Sequence, residues 1–250
     1  MAPSSAPPAS ASPALALLFM DSTAQTDLPS DLSEYLSSAQ TLLASFPGDG
    51  WGKPKVHAGV VDTFKTSGKP IGSVTADGQV WCARRSIHVV PEGYQAFKNG
   101  LLIDHAKHES EYIPALKEIR LVDSLNPADG SYTAQIWSLD YHLPRPLSPR
   151  NFVILFLGIE TIVGEEFINI SIPVETGQPS ENVKTGSVRG RYVSVERVRL
   201  TGHKENEVEW VMALASTPGG AIPQFITNSS LPGEISKDVG YFLKWLENRS

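Results

Sequence analysis

The sequence predicts an α+β fold in which a curved antiparallel sheet wraps around one long C-terminal helix. Three observations lead there. The run EVEWVMALAS, residues 207 to 216, alternates with period two, so Val208, Trp210, Met212 and Leu214 share a dry face opposite Glu207 and Glu209. It passes through the turn TPGGAIP into a segment whose apolar residues recur at three-to-four spacing almost to the chain end. Upstream, a succession of β-prone runs joined by short polar turns reads as an antiparallel meander.

The elements follow in order. Residues 1–30 are rich in Ala, Ser and Pro, and their apolar patch from Leu15 to Met20 is too short to span a bilayer and lacks a basic flank. They are expected to form a disordered tail, and residues 31–250 a single domain. Asp31 and Glu34 form a capping box for a helix burying Leu32, Tyr35, Leu36, Ala39, Leu42, Leu43 and Phe46, which Gly48 ends. Strands are predicted near 56–64 and 79–90, helices over 93–106 and 109–116, then strands near 117–125, 131–141, 151–159, 165–173, 190–201 and 207–216. Gly177 to Gly186 reads as a longer polar loop. Gly219 and Gly220 permit a tight turn, Pro223 suits a first helical turn, and the last helix starts near Ala221 with a kink expected at Asn228 to Ser230.

Composition bounds the chemistry. The 250 residues carry a formal charge of −6, which gives no footprint for nucleic acid. The single cysteine, Cys82, excludes an internal disulfide and a cysteine-rich zinc site; it fits many secreted proteins as well as a reducing compartment, and a cytoplasmic setting is the expectation adopted. No serine stands in a nucleophile-elbow pattern, and nothing in the sequence would activate the thiol. If helical, His105, Glu109 and Tyr112 share one face, but a metal would need a third, distant ligand, so neither metal nor cofactor is expected.

Pro149-Arg150-Asn151-Phe152 resembles the Pro-Arg-Asp-Phe turn of START-type lipid-transfer domains, and Gly219 to Pro223 with Asn228 resembles the approach to their C-terminal helix. Trp81, Arg84, Ser86 and His88, then His105, Glu109 and Tyr112, then Gly190 to Glu196, are similar to an uncharacterised fungal branch of that superfamily, the DUF3074 proteins. The resemblance covers residues 50 to 248 and implies a helix-grip fold with an enclosed pocket for a hydrophobic small molecule.

Alternation in the strand around Arg84 leaves its orientation open. Trp81, Ala83, Arg85, Ile87 and Val89 form the more apolar face, which would send Arg84 and His88 to water. The resemblance sends them to the pocket, and that is the expectation adopted. In the strand from 190, the arginines 191, 197 and 199 claim the wet face, so Tyr192, Ser194 and Glu196 point inward, and an inward carboxylate needs a cation such as Arg84 or donors such as His88. The expected ligand-binding residues are Trp81, Arg84, His88, His105, Glu109, Tyr112, Trp137, Tyr141, Tyr192, Ser194, Glu196, Trp210, Met212, Ile222 and Phe225. Two uses remain open: binding or transfer of a lipid, sterol, terpenoid or polyketide, and a cofactor-independent cyclase or isomerase of fungal secondary metabolism. In the second, His88 or Tyr112 would donate to an oxyanion and Glu196 would move a proton. Transient membrane contact is left open, as is the oligomeric state.

Overall fold

The computed structural model describes residues 18–144, 146–177 and 186–249. Nine strands among them form one antiparallel path: β2 (Lys55–His57), β3 (Val61–Lys65), β4 (Cys82–Val89), β11 (Glu207–Thr217), β10 (Arg191–Leu200), β8 (Glu166–Glu175), β7 (Arg150–Ile162), β6 (Thr133–Tyr141) and β5 (Leu116–Ser124), in that spatial order. Two short strands pair in parallel at its margins, β1 (Thr23–Ala24) on β8 and β9 (Val188–Arg189) on β7. Helix α4 (Gln224–Glu247) lies across β3, β4 and β11 and also meets the short helix α3 (His105–Tyr112). The expected helix-grip architecture holds.

Both faces of the sheet are dry over much of its area. On the outer face, helix α1 (Glu34–Ala44) sets Tyr35, Ala39, Leu42 and Leu43 into one cluster with Trp81, Ala83, Val193, Val195, Val211 and Ala213. This explains the unbroken apolar run of β7, whose Val153, Leu155 and Leu157 face outward while Phe152, Ile154 and Phe156 face inward. Residues 18 to 30, expected as tail, depart from that reading. Leu18 is fully buried, its carbonyl accepts from Gln79 Nε2 at 3.1 Å, and Gln25 Nε2 donates to Asp123 Oδ2 at 2.6 Å. Packing on a hydrophobic sheet face overrides a composition that reads as disordered. Residues 1–17 and most of the loop expected between Gly177 and Gly186 lie outside the described residues.

Other departures are local. Asp31 Oδ1 accepts from Ser33 N at 2.9 Å, a turn just ahead of α1 rather than the reciprocal box with Glu34. The strand expected at 56–64 is a hairpin, because Ala58 and Gly59 have positive φ. The helix expected over 93–106 is α2 (Tyr94–Phe97) running into a π-helical turn, Lys98–Leu102, and α3 then begins after Asp104, whose φ of 49° starts a new axis. Gly100 in that turn has no alternative: a Cβ there would fall 2.5 Å from Phe242 Cε2. No break separates the two halves of α4, which carries Pro232 within its length. The Glu209 carboxylate, expected in water, is buried and accepts from Arg85 at 2.7 Å, Arg197 at 3.1 Å and Arg199 at 2.7 Å. Three arginines converging from β4 and β10 exclude water from it.

Candidate functional site

Between the inner sheet face and α4 lies a cavity of about 690 Å³. Each wall follows from local sequence. Strand β10 alternates, so its outward Val193 and Val195 join the α1 layer while Tyr192, Ser194 and Glu196 face the cavity. Strand β8 repeats the pattern, with Ile168, Ile170 and Ile172 outward and Asn169 and Ser171 on the cavity wall. Helix α4 supplies Leu231, Ile235 and Asp238 at helical spacing, and α3 supplies His105, Glu109 and Tyr112.

The polar centre is built around Glu196. Its Oε1 accepts from Trp210 Nε1 at 2.7 Å and faces Arg84 Nη2 at 3.3 Å, while its Oε2 accepts from Asn169 Nδ2 at 3.1 Å. The Arg84 guanidinium also lies 3.9 Å from the Trp210 ring centroid, a cation–π stack that fixes its plane. Arg84 is only 1% exposed, and burial works against its charge while Glu196 supports it. Its Nε and Nη1 have no hydrogen-bond partner among the described residues, and neither has Asn169 Oδ1. Unpaired buried donors and acceptors are costly, so this wall is incomplete without something to meet them.

A second polar group adjoins it. Tyr141 donates its hydroxyl to Glu109 Oε1 at 3.3 Å, and His105 Nε2 lies 3.8 Å from Glu109 Oε2 while its ring stacks on Phe156. Burial pushes the Glu109 carboxyl above its ordinary range. Asp238 on α4 is pushed up to about 7, first by burial and then by Glu109 and Glu196, with Arg84 opposing. Burial and the same carboxylates hold the Tyr112 phenol protonated far into alkaline solution. Among the described residues no group of three or more His, Cys, Asp or Glu is placed to hold a metal.

The structure therefore brings Arg84, His105, Glu109, Tyr112 and Tyr141 to one cavity with Tyr192, Ser194, Glu196, Trp210 and Met212. Five expected residues fall elsewhere. Trp81 points to the opposite face, under α1. His88 shares the inner face with Arg84 but lies beyond the cavity, its ring 5.9 Å from that of Phe97 and 6.4 Å from that of Trp210, and burial drives its pKa down to about 4. It is not among the cavity-lining residues, which removes it as an oxyanion donor to a cavity ligand. Trp137 packs with Leu139 and Ile154 and spends its N–H on Gln135. Ile222 precedes α4, and Phe225 in its first turn is 73% exposed. Sequence reasoning missed Asp238 and Asn169. Both carried a signal: Asp238 stands three residues after Ile235 and four before Phe242 on the buried stripe, and Asn169 interrupts the inner face of a strand otherwise fit for core.

Comparison with known proteins agrees with the geometry. An uncharacterised protein of Schizosaccharomyces pombe, C577.11, is 25% identical over 172 residues, covering 68% of this chain and 69% of its own. Among solved structures the fold is similar to human STARD10 (TM-score 0.68, 14% identity, 88% of this chain and 80% of that one). It is also similar to human StAR-related lipid transfer protein 5 (TM-score 0.66, 15% identity, 85% and 94%). A STAR-related lipid transfer protein from Xanthomonas axonopodis gives a TM-score of 0.60 at 17% identity over 80% and 99%. At these identities the structures establish the helix-grip fold. The family model described as "Protein of unknown function (DUF3074)" matches residues 81–246, and the chain belongs to that family.

Proposed function

We propose that this protein binds a hydrophobic small molecule of the lipid, sterol, terpenoid or polyketide class in the cavity between the sheet and α4. The observation that carries the reading is a space of about 690 Å³ whose buried wall holds an arginine with two nitrogens, Nε and Nη1, unpaired among the described residues. A volume of several hundred Å³ suits a ligand of drug to lipid size, held by apolar burial and oriented by a few polar groups. Arg84 would donate to an oxygen of the ligand, and Tyr112 offers a second donor. Lipid transfer, after which two of the fold relatives are named, supports the same reading.

Release and uptake would occur at a membrane. Phe225 and Ile226 on the first turn of α4, and Leu147 three residues after the cavity-lining Pro144, are exposed apolar residues. No described helix is long and apolar enough to cross a bilayer, so contact would be superficial. The buried free thiol of Cys82, pushed up to about 11 by burial, is inert and suits a cytoplasmic setting.

A second reading, a cofactor-independent cyclase or isomerase, is favoured by one observation. Asp238 titrates near neutrality in the cavity wall and could deliver or take a proton there. Incubation with a lipid and terpenoid extract, followed by mass spectrometry of what the protein retains, separates the two. Unchanged ligand supports binding, a new isomer supports catalysis, and recovery of nothing apolar rejects both.

A further inference from the structure

The cavity wall carries four carboxylates, Glu109, Glu196, Glu234 and Asp238, against three fixed cations, Arg84, Arg150 and Lys237. The titratable groups that face Asp238 are Arg84 from β4, Glu196 from β10, Glu109 and Tyr112 from α3, Tyr141 from β6, and Glu234 and Lys237 from α4. Glu196 is matched by Arg84, and Glu234 by Lys237 at 2.8 Å. Arg150, the other arginine on the wall, donates to the carbonyls of Ser148 and Pro149. That leaves Glu109 and Asp238. Glu109 has the Tyr141 hydroxyl and, farther off, His105, whereas Asp238 makes no hydrogen bond or ion pair among the described residues.

An independent observation points to a donor as the missing partner. Asn169 is 3% exposed and spends its Nδ2 hydrogens on Glu196 Oε2 and the Leu101 carbonyl. Its Oδ1 is left unpaired, and rotating the amide to satisfy it would break both bonds. Around these acceptors stand the rings of Tyr112, Tyr141 and Tyr192, whose faces attract cations.

We propose that the ligand carries a positively charged amine, held by the carboxylates of Asp238 and Glu109 with the Asn169 carbonyl oxygen nearby, and that the cavity is a receptor for cationic amphiphiles. This rests on the binding reading above and deepens it. Without such a ligand, Asp238 takes up a proton near neutrality, and an incoming ammonium would displace that proton.

The test compares dodecylamine, dodecanol and dodecanoate, each below its aggregation concentration, by quenching of tryptophan fluorescence in the full chain. At pH 8.5 dodecylamine should bind about tenfold or more tighter than dodecanol, and dodecanoate weakest. The preference should shrink at pH 5.5, and calorimetry in two buffers near pH 6.5 should show proton release on amine binding. Asp238→Asn should bring the amine close to the alcohol in affinity, with Glu109→Gln acting in the same direction should the first variant fold poorly. Equal binding of amine and alcohol by the unaltered protein would overturn the cation inference and leave the apolar pocket standing. A preference for dodecanoate would overturn it too. Failure of all three probes would reject pocket and inference together.

Discussion

Replacing Glu196 by Gln removes the negative charge at the centre of the cavity wall while preserving shape. The carboxylate now receives Trp210 Nε1 at 2.7 Å, Asn169 Nδ2 at 3.1 Å and Arg84 Nη2 at 3.3 Å. A Gln oxygen can keep the Trp210 and Arg84 bonds, but its NH2 must face the Asn169 amide, which can accept only by giving up its bond to Leu101 O. Arg84 is left without its countercharge, and breaking a buried pair by removing one partner costs about 3–5 kcal/mol. Contact with the Trp210 face softens this, so about 3 kcal/mol is expected. For a domain of this size that lowers Tm by roughly 6–12 °C. Arg84→Met should cost a similar amount, whereas the double variant Arg84→Met/Glu196→Gln removes both charges and should recover much of the loss. Thermal and urea melts of the four proteins at pH 7 close the cycle. Strictly additive losses, or single variants within about 0.5 kcal/mol of wild type, would refute the view that these groups form one buried pair.

Further outcomes follow from the same structure. The Asp238 carboxyl is raised in the folded chain, so the unfolded chain binds fewer protons between about pH 4 and 7 and stability falls as pH rises through that window. Asp238→Asn should flatten the dependence and stabilise the free protein by roughly 2–4 kcal/mol at pH 8, which melts at pH 4, 6 and 8 would read; an unchanged pH profile contradicts the assignment. Glu209→Gln strips the countercharge from Arg85, Arg197 and Arg199 on the outer face and should cost roughly 2–4 kcal/mol. Its affinity for a cavity probe should stay at the wild-type value, and a matching loss of affinity would mean that the two sheet faces are coupled. Phe225→Ser with Ile226→Ser should change Tm by no more than about 0.5 kcal/mol equivalent because both side chains are exposed. Vesicle co-sedimentation should fall in the same protein, and unchanged sedimentation would move the membrane contact elsewhere.

The fold was legible because its two strongest signals are local: period-two alternation in β10 and β11, and an apolar stripe along α4 ending in Val239 and Phe242. Glu196 was readable for the same reason, since outward arginines at 191, 197 and 199 force it inward. Arg84 was not readable from its own strand. The face opposite it is apolar because α1 covers Trp81 and Ala83, whereas Ile87 and Val89 farther along that face are exposed, and no local pattern tells which apolar face a distant helix will cover. The resemblance supplied that orientation for Arg84, and for His88 it overreached: the strand carries the imidazole past the cavity into the aromatic cluster of Phe97, Trp210 and Phe242. Ordering of residues 18–30 escaped notice because it depends on the sheet face they cover. Glu209 escaped because three arginines distant in sequence dry it out.

Native mass spectrometry of the protein after exposure to a lipid and terpenoid extract, beside a Met212→Trp variant that narrows the cavity, bears most directly on the hollow between sheet and helix. A discrete one-to-one adduct in the wild type, lost or strongly reduced in a variant that melts at the same temperature, is the predicted result. Wild-type protein that retains no apolar molecule, or a variant that retains it equally, would contradict a ligand site there.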